Sequence, residues 1–247
     1  MIKSSIKKLI PYSVLRRLRK LTSSKSLPPT INHVRLGDFN RLTPFSKSFG
    51  YDRGGPIDRY YIENFLKKEA GSIAGRVLEI GDNSYTLLYG GKNVTTSDIL
   101  HVDKNNPAAT FVGDISHAPQ IPDDIFDCII FTQTLHLIYD FKGALRTCHR
   151  ILKPGGTLLL TVPYITSIDH GEWNATWYWA FTDKVFGPLM QETFPGSQTD
   201  VRCFGNVLTA SAFLFGMGQP ELSKEKLDFH DSHFQVIIAV KTVKPNL

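Results

Sequence analysis

The sequence predicts an α/β fold built as a doubly wound, mostly parallel sheet. Three observations carry this. Short apolar runs at 76–81, 94–100, 126–131 and 157–163 alternate with stretches of helical periodicity or with turn residues. The run 126–131 is broken only by Asp127, which suits a strand buried on both faces. Acidic residues stand at or near the ends of the runs at 76–81, 94–100 and 110–113, where ligands bind an open α/β sheet.

The chain has 247 residues and is 42% hydrophobic, enough for one large domain with an extension. Its three cysteines, Cys128, Cys148 and Cys203, match no zinc spacing, and an odd count argues against a disulfide framework. They read as reduced thiols of a cytoplasmic protein, Cys128 in a strand and Cys148 in a helix. Charge is uneven. Residues 1–35 hold nine of the 28 lysines and arginines and none of the 23 acids, so the rest is mildly acidic, with 19 bases against 23 acids. That distribution argues against a nucleic-acid surface spread over the fold.

In chain order, Ile2, Ile6, Leu9 and Ile10, then Val14, Leu15, Leu18 and Leu21, recur at helical spacing, with Pro11 dividing two short helices. Basic residues fill the other face. Residues 1–26 therefore read as a basic amphipathic segment of the kind that lies on an anionic membrane surface through residues 1–25; docking on the body or on a partner stays open. The apolar runs are too short for a span or a secretory signal. Residues 27–56 read as linker and irregular lid, from Pro28-Pro29 to Gly54-Gly55-Pro56, and 57–247 as the catalytic-type domain. A helix is expected over 57–69, then strands at 76–81, 94–100 and 110–113, with a short segment at 87–91. A fourth strand at 126–131 leads to a helix at 141–152 capped by Asp140. Lys153-Pro154-Gly155-Gly156 reads as a turn before a fifth strand at 157–163. Irregular aromatic sequence follows to 182. A helix is expected at 183–194, with Gly187-Pro188 either kinking or shortening it, a strand at 200–204, a helix at 208–215, and a final edge strand at 234–243.

The first strand ends Glu79-Ile80-Gly81-Asp82. A dinucleotide site would continue Gly-x-Gly-x-x-Gly, yet Asn83 and Thr86 replace the later glycines, and a P-loop lysine is absent. Asp98, about 20 residues on, is placed to accept from ribose hydroxyls, and Asp114 from an adenine amino group. With Glu79 and Asp82, four carboxylates converge on one crevice, which suits a cationic nucleoside better than a phosphate-bearing one.

Four pieces of the sequence resemble the class I S-adenosylmethionine-dependent methyltransferases: Val77-Leu78-Glu79-Ile80-Gly81, Ser97-Asp98, Phe126-Asp127-Cys128-Ile129-Ile130, and His149-Arg150-Ile151-Leu152-Lys153-Pro154-Gly155-Gly156. The likeness covers residues 57–163 well. Gly205-Asn206-Val207-Leu208 and the closing Val-Ile-Ile-Ala-Val-Lys also resemble a bacterial subgroup linked to surface-polysaccharide assembly. The resemblance implies a Rossmann-like seven-stranded sheet with an antiparallel last strand and S-adenosyl-L-methionine as methyl donor. It places Glu79, Gly81 and Asp82 along the methionine, Asp98 at the ribose, Asp114 at the adenine, and Thr132 and Gln133 near the sulfonium. Asp82-Asn83-Ser84 departs from the family's glycine-rich turn.

A hydroxyl acceptor calls for a general base. His136, after the fourth strand, and Asp169 with His170, after the fifth, are the candidates. The aromatic stretch 173–181 either stacks on sugar rings or packs as core, and Arg53, Asp58, Arg59, Tyr60 and Tyr61 either close over the donor or are ordinary charges at a helix start. The expectation is a metal-independent, cytoplasmic methyltransferase, peripheral on the inner face of the membrane, acting on a glycan, a lipid-linked saccharide or another small-molecule acceptor. No nucleic-acid partner is expected. A non-catalytic subunit of a glycan-assembly complex is the alternative.

Overall fold

The computed structural model describes residues 28–246, so the helices read into residues 2–21 lie outside the described residues. The chain divides into two compact units after Leu42. The described part of the first holds one 3₁₀ turn, Gly37–Phe39. The second carries the sheet.

Its elements are α1 (Ile57–Lys68), β1 (Gly75–Ile80), β2 (Val94–His101), β3 (Phe111–Val112), β4 (Phe126–Thr132), α2 (Phe141–Ile151), β5 (Leu152–Pro163), α3 (Asp183–Thr193), β6 (Gln198–Phe204), α4 (Val207–Leu214), α5 (Lys224–Asp228) and β7 (Ile237–Val243). Seven strands form one sheet in the order β3-β2-β1-β4-β5-β7-β6. β7 runs antiparallel to both of its neighbours, whereas β1 to β5 pair in parallel. The seven-stranded α/β expectation holds. The placement of the last strand does not: β7 is internal and β6 takes the edge. Its composition explains why. Ile237 to Val240 are fully buried on both faces, whereas β6 carries Asp200 and Arg202, charges an edge strand tolerates.

Alternation along each strand splits the core into two layers. Leu78, Ile129, Phe131, Leu158 and Leu160 face α2 and α3 through Leu145, Cys148, Phe186 and Met190. Val77, Cys128, Ile130 and Leu159 face α1 and α4 through Ile62, Phe65, Leu66 and Phe213. Asp140 caps α2 as expected, its carboxylate accepting from the Gly143 amide at 2.9 Å. α3 runs through Pro188 without a break. Lys153 to Gly156, read as a turn, is assigned to the start of β5. The β4–β5 register nevertheless jumps from Phe126↔Leu152 to Cys128↔Thr157, so the residues loop out of the ladder.

Residues 43–56 are irregular, and they are tied to 215–221. The Phe45 amide donates to the Phe215 carbonyl at 2.7 Å, the Gln219 amide donates to the Gly55 carbonyl at 2.8 Å, and Arg53 pairs with Glu221. Gly218 permits the approach, because a Cβ there would lie 1.9 Å from the Arg53 carbonyl oxygen.

Candidate active site

The site is built where β1, β2, β4 and β5 end. Glu79 is 2% exposed in β1, yet it does not face an open crevice. Its Oε2 accepts from the Thr86 amide and hydroxyl, both at 2.7 Å, and its Oε1 accepts from the Tyr85 amide at 3.2 Å. Burial pushes this carboxyl up to about 7, against the pull of those three donors. Asp82 is exposed, and its Oδ1 accepts from the Ser84 amide at 2.8 Å. Both acids thus bind amides at the start of the helical turn Thr86–Gly90. Amides in that position would cradle a phosphate, and here carboxylates already occupy them. A dinucleotide is disfavoured and a cation is not.

Between the two acids stands Gly81, at φ +97°, a backbone state that L-residues other than glycine rarely adopt. A Cβ built there would meet nothing within 4 Å, so the strand tip opens onto free space.

Asp98 is not near the tip of β2. The register pairs it with Leu78, it is 4% exposed, and its Oδ2 accepts from Arg76 Nε at 2.6 Å. Arg76 in turn lies over the rings of Phe111 and Phe126. Asp98 is therefore engaged in an ion pair inside the sheet, two residues short of the edge expected for a ribose acceptor. Ile80 pairs with Leu100, so His101 comes level with Gly81 and Asp103 lies beyond it. Asp103 is exposed and holds the turn through Asn105. Sequence reading passed over it, although an acid three residues past the last buried apolar residue, Leu100, was a visible signal. The β2–β3 ladder ends at the His101↔Val112 pair, two residues before Asp103 and Asp114. Asp114 is exposed, accepting from the Ser116 amide at 2.8 Å.

Thr132 ends β4 opposite Thr161. Gln133 turns at φ +48°, and its amide donates to the Thr161 carbonyl at 2.9 Å, which pins it between β4 and β5. A positive φ in a residue with a side chain is strained backbone of the sort that clusters at functional sites.

His136 is 2% exposed rather than bordering an open crevice. Its ring meets the edge or face of Trp177 at 4.7 Å between centroids, and neither ring nitrogen has a hydrogen-bond partner among the described residues. Burial pushes the imidazole down to about 4, so it is neutral at pH 7. His170 is exposed, in the loop after β5. The Asp169 carboxylate accepts from the Gly171 and Trp173 amides, both at 3.0 Å, and these bonds hold it below the usual carboxylate range. It shapes the loop that carries His170.

Of the five residues before β1 considered as a cover, one reaches the β1 loop. The Arg59 guanidinium donates to the Tyr85 hydroxyl at 3.1 Å and to Tyr51 at 3.3 Å. Burial opposes its charge, but Asp58, Tyr85 and Tyr51 outweigh burial and raise its pKa. Asp58 is itself buried, its pKa raised by that burial. Tyr60 and Tyr61 bond instead to Asp228 and to the Leu227 carbonyl, and Arg53 to Glu221. The aromatic stretch is divided too. Phe181 is core, Trp177 and Trp179 are half-buried, and Trp173 and Tyr178 are exposed.

The edge suits a cationic nucleoside better than a phosphate-bearing one: free space sits over Gly81, the exposed Asp82 stands beside it, and the amides of Ser84, Tyr85 and Thr86 are already held by carboxylates. Comparison with known proteins agrees. Residues 72–160 match the family described as "Methyltransferase domain". A 45-residue segment is 47% identical to the ubiquinone/menaquinone biosynthesis C-methyltransferase UbiE of Pectobacterium carotovorum subsp. carotovorum (strain PC1); the match spans 18% of this chain and 18% of that relative's length. Among solved structures, an S-adenosylmethionine-dependent methyltransferase from Archaeoglobus fulgidus is similar at a TM-score of 0.51 and 14% identity, over 75% of this chain and 94% of that one. Another from Mesorhizobium loti is similar at 0.50 and 15% identity, over 76% and 99%. Residues 72–160 match a methyltransferase domain, and the fold that carries them is the one seen in these S-adenosylmethionine-dependent methyltransferase structures.

Proposed function

We propose that this protein transfers the methyl group of S-adenosylmethionine to a hydroxyl of a glycan or lipid-linked saccharide. The observation that carries the reading is the open face of Gly81, with the exposed Asp82 beside it, on the sheet edge that also bears the aromatic loop after β5. When bound, the donor supplies an activated methyl on a sulfonium, and the chain's task is to align an acceptor oxygen with it and remove that oxygen's proton. Gly81 and Asp82 would line the methionine, Asp103 the ribose, Asp114 the adenine, and Thr132 and Gln133 the reacting centre. His170 is the candidate base, carried by the loop that Asp169 orders. His136, low in basicity and enclosed, is better suited to accept a hydrogen bond than a proton.

Titration calorimetry of the full chain with S-adenosylmethionine tests this. Saturable binding is expected, and folded protein that takes up no donor would remove the reading. The second reading, a non-catalytic subunit, is favoured by the altered turn Asp82-Asn83-Ser84, whose own carboxylate occupies the Ser84 amide. It expects no donor uptake. Asp103→Ala is expected to weaken donor binding by more than tenfold with little change in melting. Asp98→Ala is expected instead to cost stability, about 1–2 kcal/mol for a partly exposed ion pair. Equal donor affinities in the two variants would return the ribose role to neither acid.

No helix among the described residues is long and apolar enough to cross a membrane. The basic residues of segment 1–25 support a peripheral contact with an anionic bilayer. Deleting that segment should shift the protein from sedimenting anionic liposomes to the supernatant; unchanged sedimentation would exclude the contact.

A further inference from the structure

A cavity of about 280 Å³ opens at the end of β5, walled by Tyr164, Thr166, Ile168, Trp177, Tyr178 and Trp179. Its lining holds four aromatic side chains and no charged group.

The two indoles are held differently. Trp179 Nε1 donates to the Ile138 carbonyl at 3.0 Å, which fixes that ring. Among the described residues, Trp177 makes ring contacts and no side-chain hydrogen bond: it stacks on Phe49 with centroids 6.3 Å apart and meets His136 at a 71° interplanar angle.

We propose that this cavity holds a single uncharged sugar ring of the acceptor, laid against Trp177 and Trp179. The proposal rests on the methyl-transfer reading for its acceptor and on the cavity alone for its chemistry. A sugar ring presents an apolar C–H face to an aromatic wall and hydroxyls at its rim, which matches a lining of rings with Thr166 and the tyrosine hydroxyls. A phosphate or uronate would be desolvated there with no lysine or arginine to pair it, so charged sugars are selected against. The volume lies just under the ~300–1,000 Å³ of pockets for drug-sized ligands, room for one ring rather than a nucleotide sugar.

The test is tryptophan fluorescence of the full chain titrated with the methyl glycosides of glucose, galactose, mannose and rhamnose, and with glucose 6-phosphate and methyl glucuronide. At least one neutral glycoside should give a saturable change, with the charged sugars binding at least tenfold more weakly. Trp177→Ala should weaken the neutral sugar about tenfold. If every neutral glycoside fails at concentrations that fill a millimolar site, or the charged sugars bind as well, the proposal is overturned; neither outcome depends on a variant folding. Donor binding in the same samples separates the two readings. Donor uptake without sugar binding removes the cavity proposal alone, and sugar binding without donor uptake removes methyl transfer alone.

Discussion

The Glu79→Ala variant is expected to be less stable than the wild type at pH 5 and to bind S-adenosylmethionine more than tenfold more weakly. The Tyr85 amide and the Thr86 amide and hydroxyl all donate to Glu79. Removing the carboxyl leaves them without their acceptor beneath the sheet edge, at about 1–3 kcal/mol for each donor that water cannot reach. The cost should depend on pH. Burial raises the folded-state pKa of Glu79 to about 7 from an ordinary 4.5. The folded chain therefore holds a proton that the unfolded chain has released between those two values. Stability from this group is full below about 4.5 and is lost as pH rises to about 7, by about 3 kcal/mol for a shift of that size. The gap between wild type and variant should narrow accordingly. Urea unfolding of both proteins from pH 4.5 to 8 checks it; parallel curves would mean that Glu79 does not titrate in this window.

The Gly81→Ala variant is the second. At φ +97° alanine is strained, and the cost is about 1–3 kcal/mol. With a Cβ that meets nothing within 4 Å, strain is the whole structural penalty, so the protein should fold and melt roughly 2–10 °C lower. Donor affinity should fall much further than the strain accounts for, by more than tenfold, because the added methyl occupies the space the donor needs. Gly71→Ala is the control, since a Cβ there also meets nothing and no positive φ is involved. Calorimetry and thermal melts on both variants decide. Donor binding unchanged in Gly81→Ala would place the donor elsewhere.

Some of the site was legible before any coordinates. The strand ending at Gly81, the strand at 126–131 and the Asp140 cap are local, because each depends on residues within one turn or one strand. The ribose acid was not. Which acid reaches the edge depends on how far β2 slides against β1, and the observed register sets Asp98 opposite Leu78 inside the sheet and leaves Asp103 past the last pair, Ile80↔Leu100. Counting from Glu79 along the chain cannot supply a cross-strand offset. The enclosure of His136 was equally hidden, since it depends on Trp177, 41 residues later, folding back over the end of β4.

The sequence by itself determined the α/β class, the near-complete order of strands and helices, and a strand ending at Gly81 that resembles a methyl-donor motif. Hydrophobic period, capping and turn chemistry act between near neighbours, and they are written in the chain. Only the tertiary structure decided that β7 is internal, that Glu79 orders the loop rather than lining the crevice, and that an uncharged aromatic cavity stands at the end of β5. Those facts arise from which distant segments pack together. Burial, the cost of an unpaired polar group and the space left over Gly81 exist only after that packing.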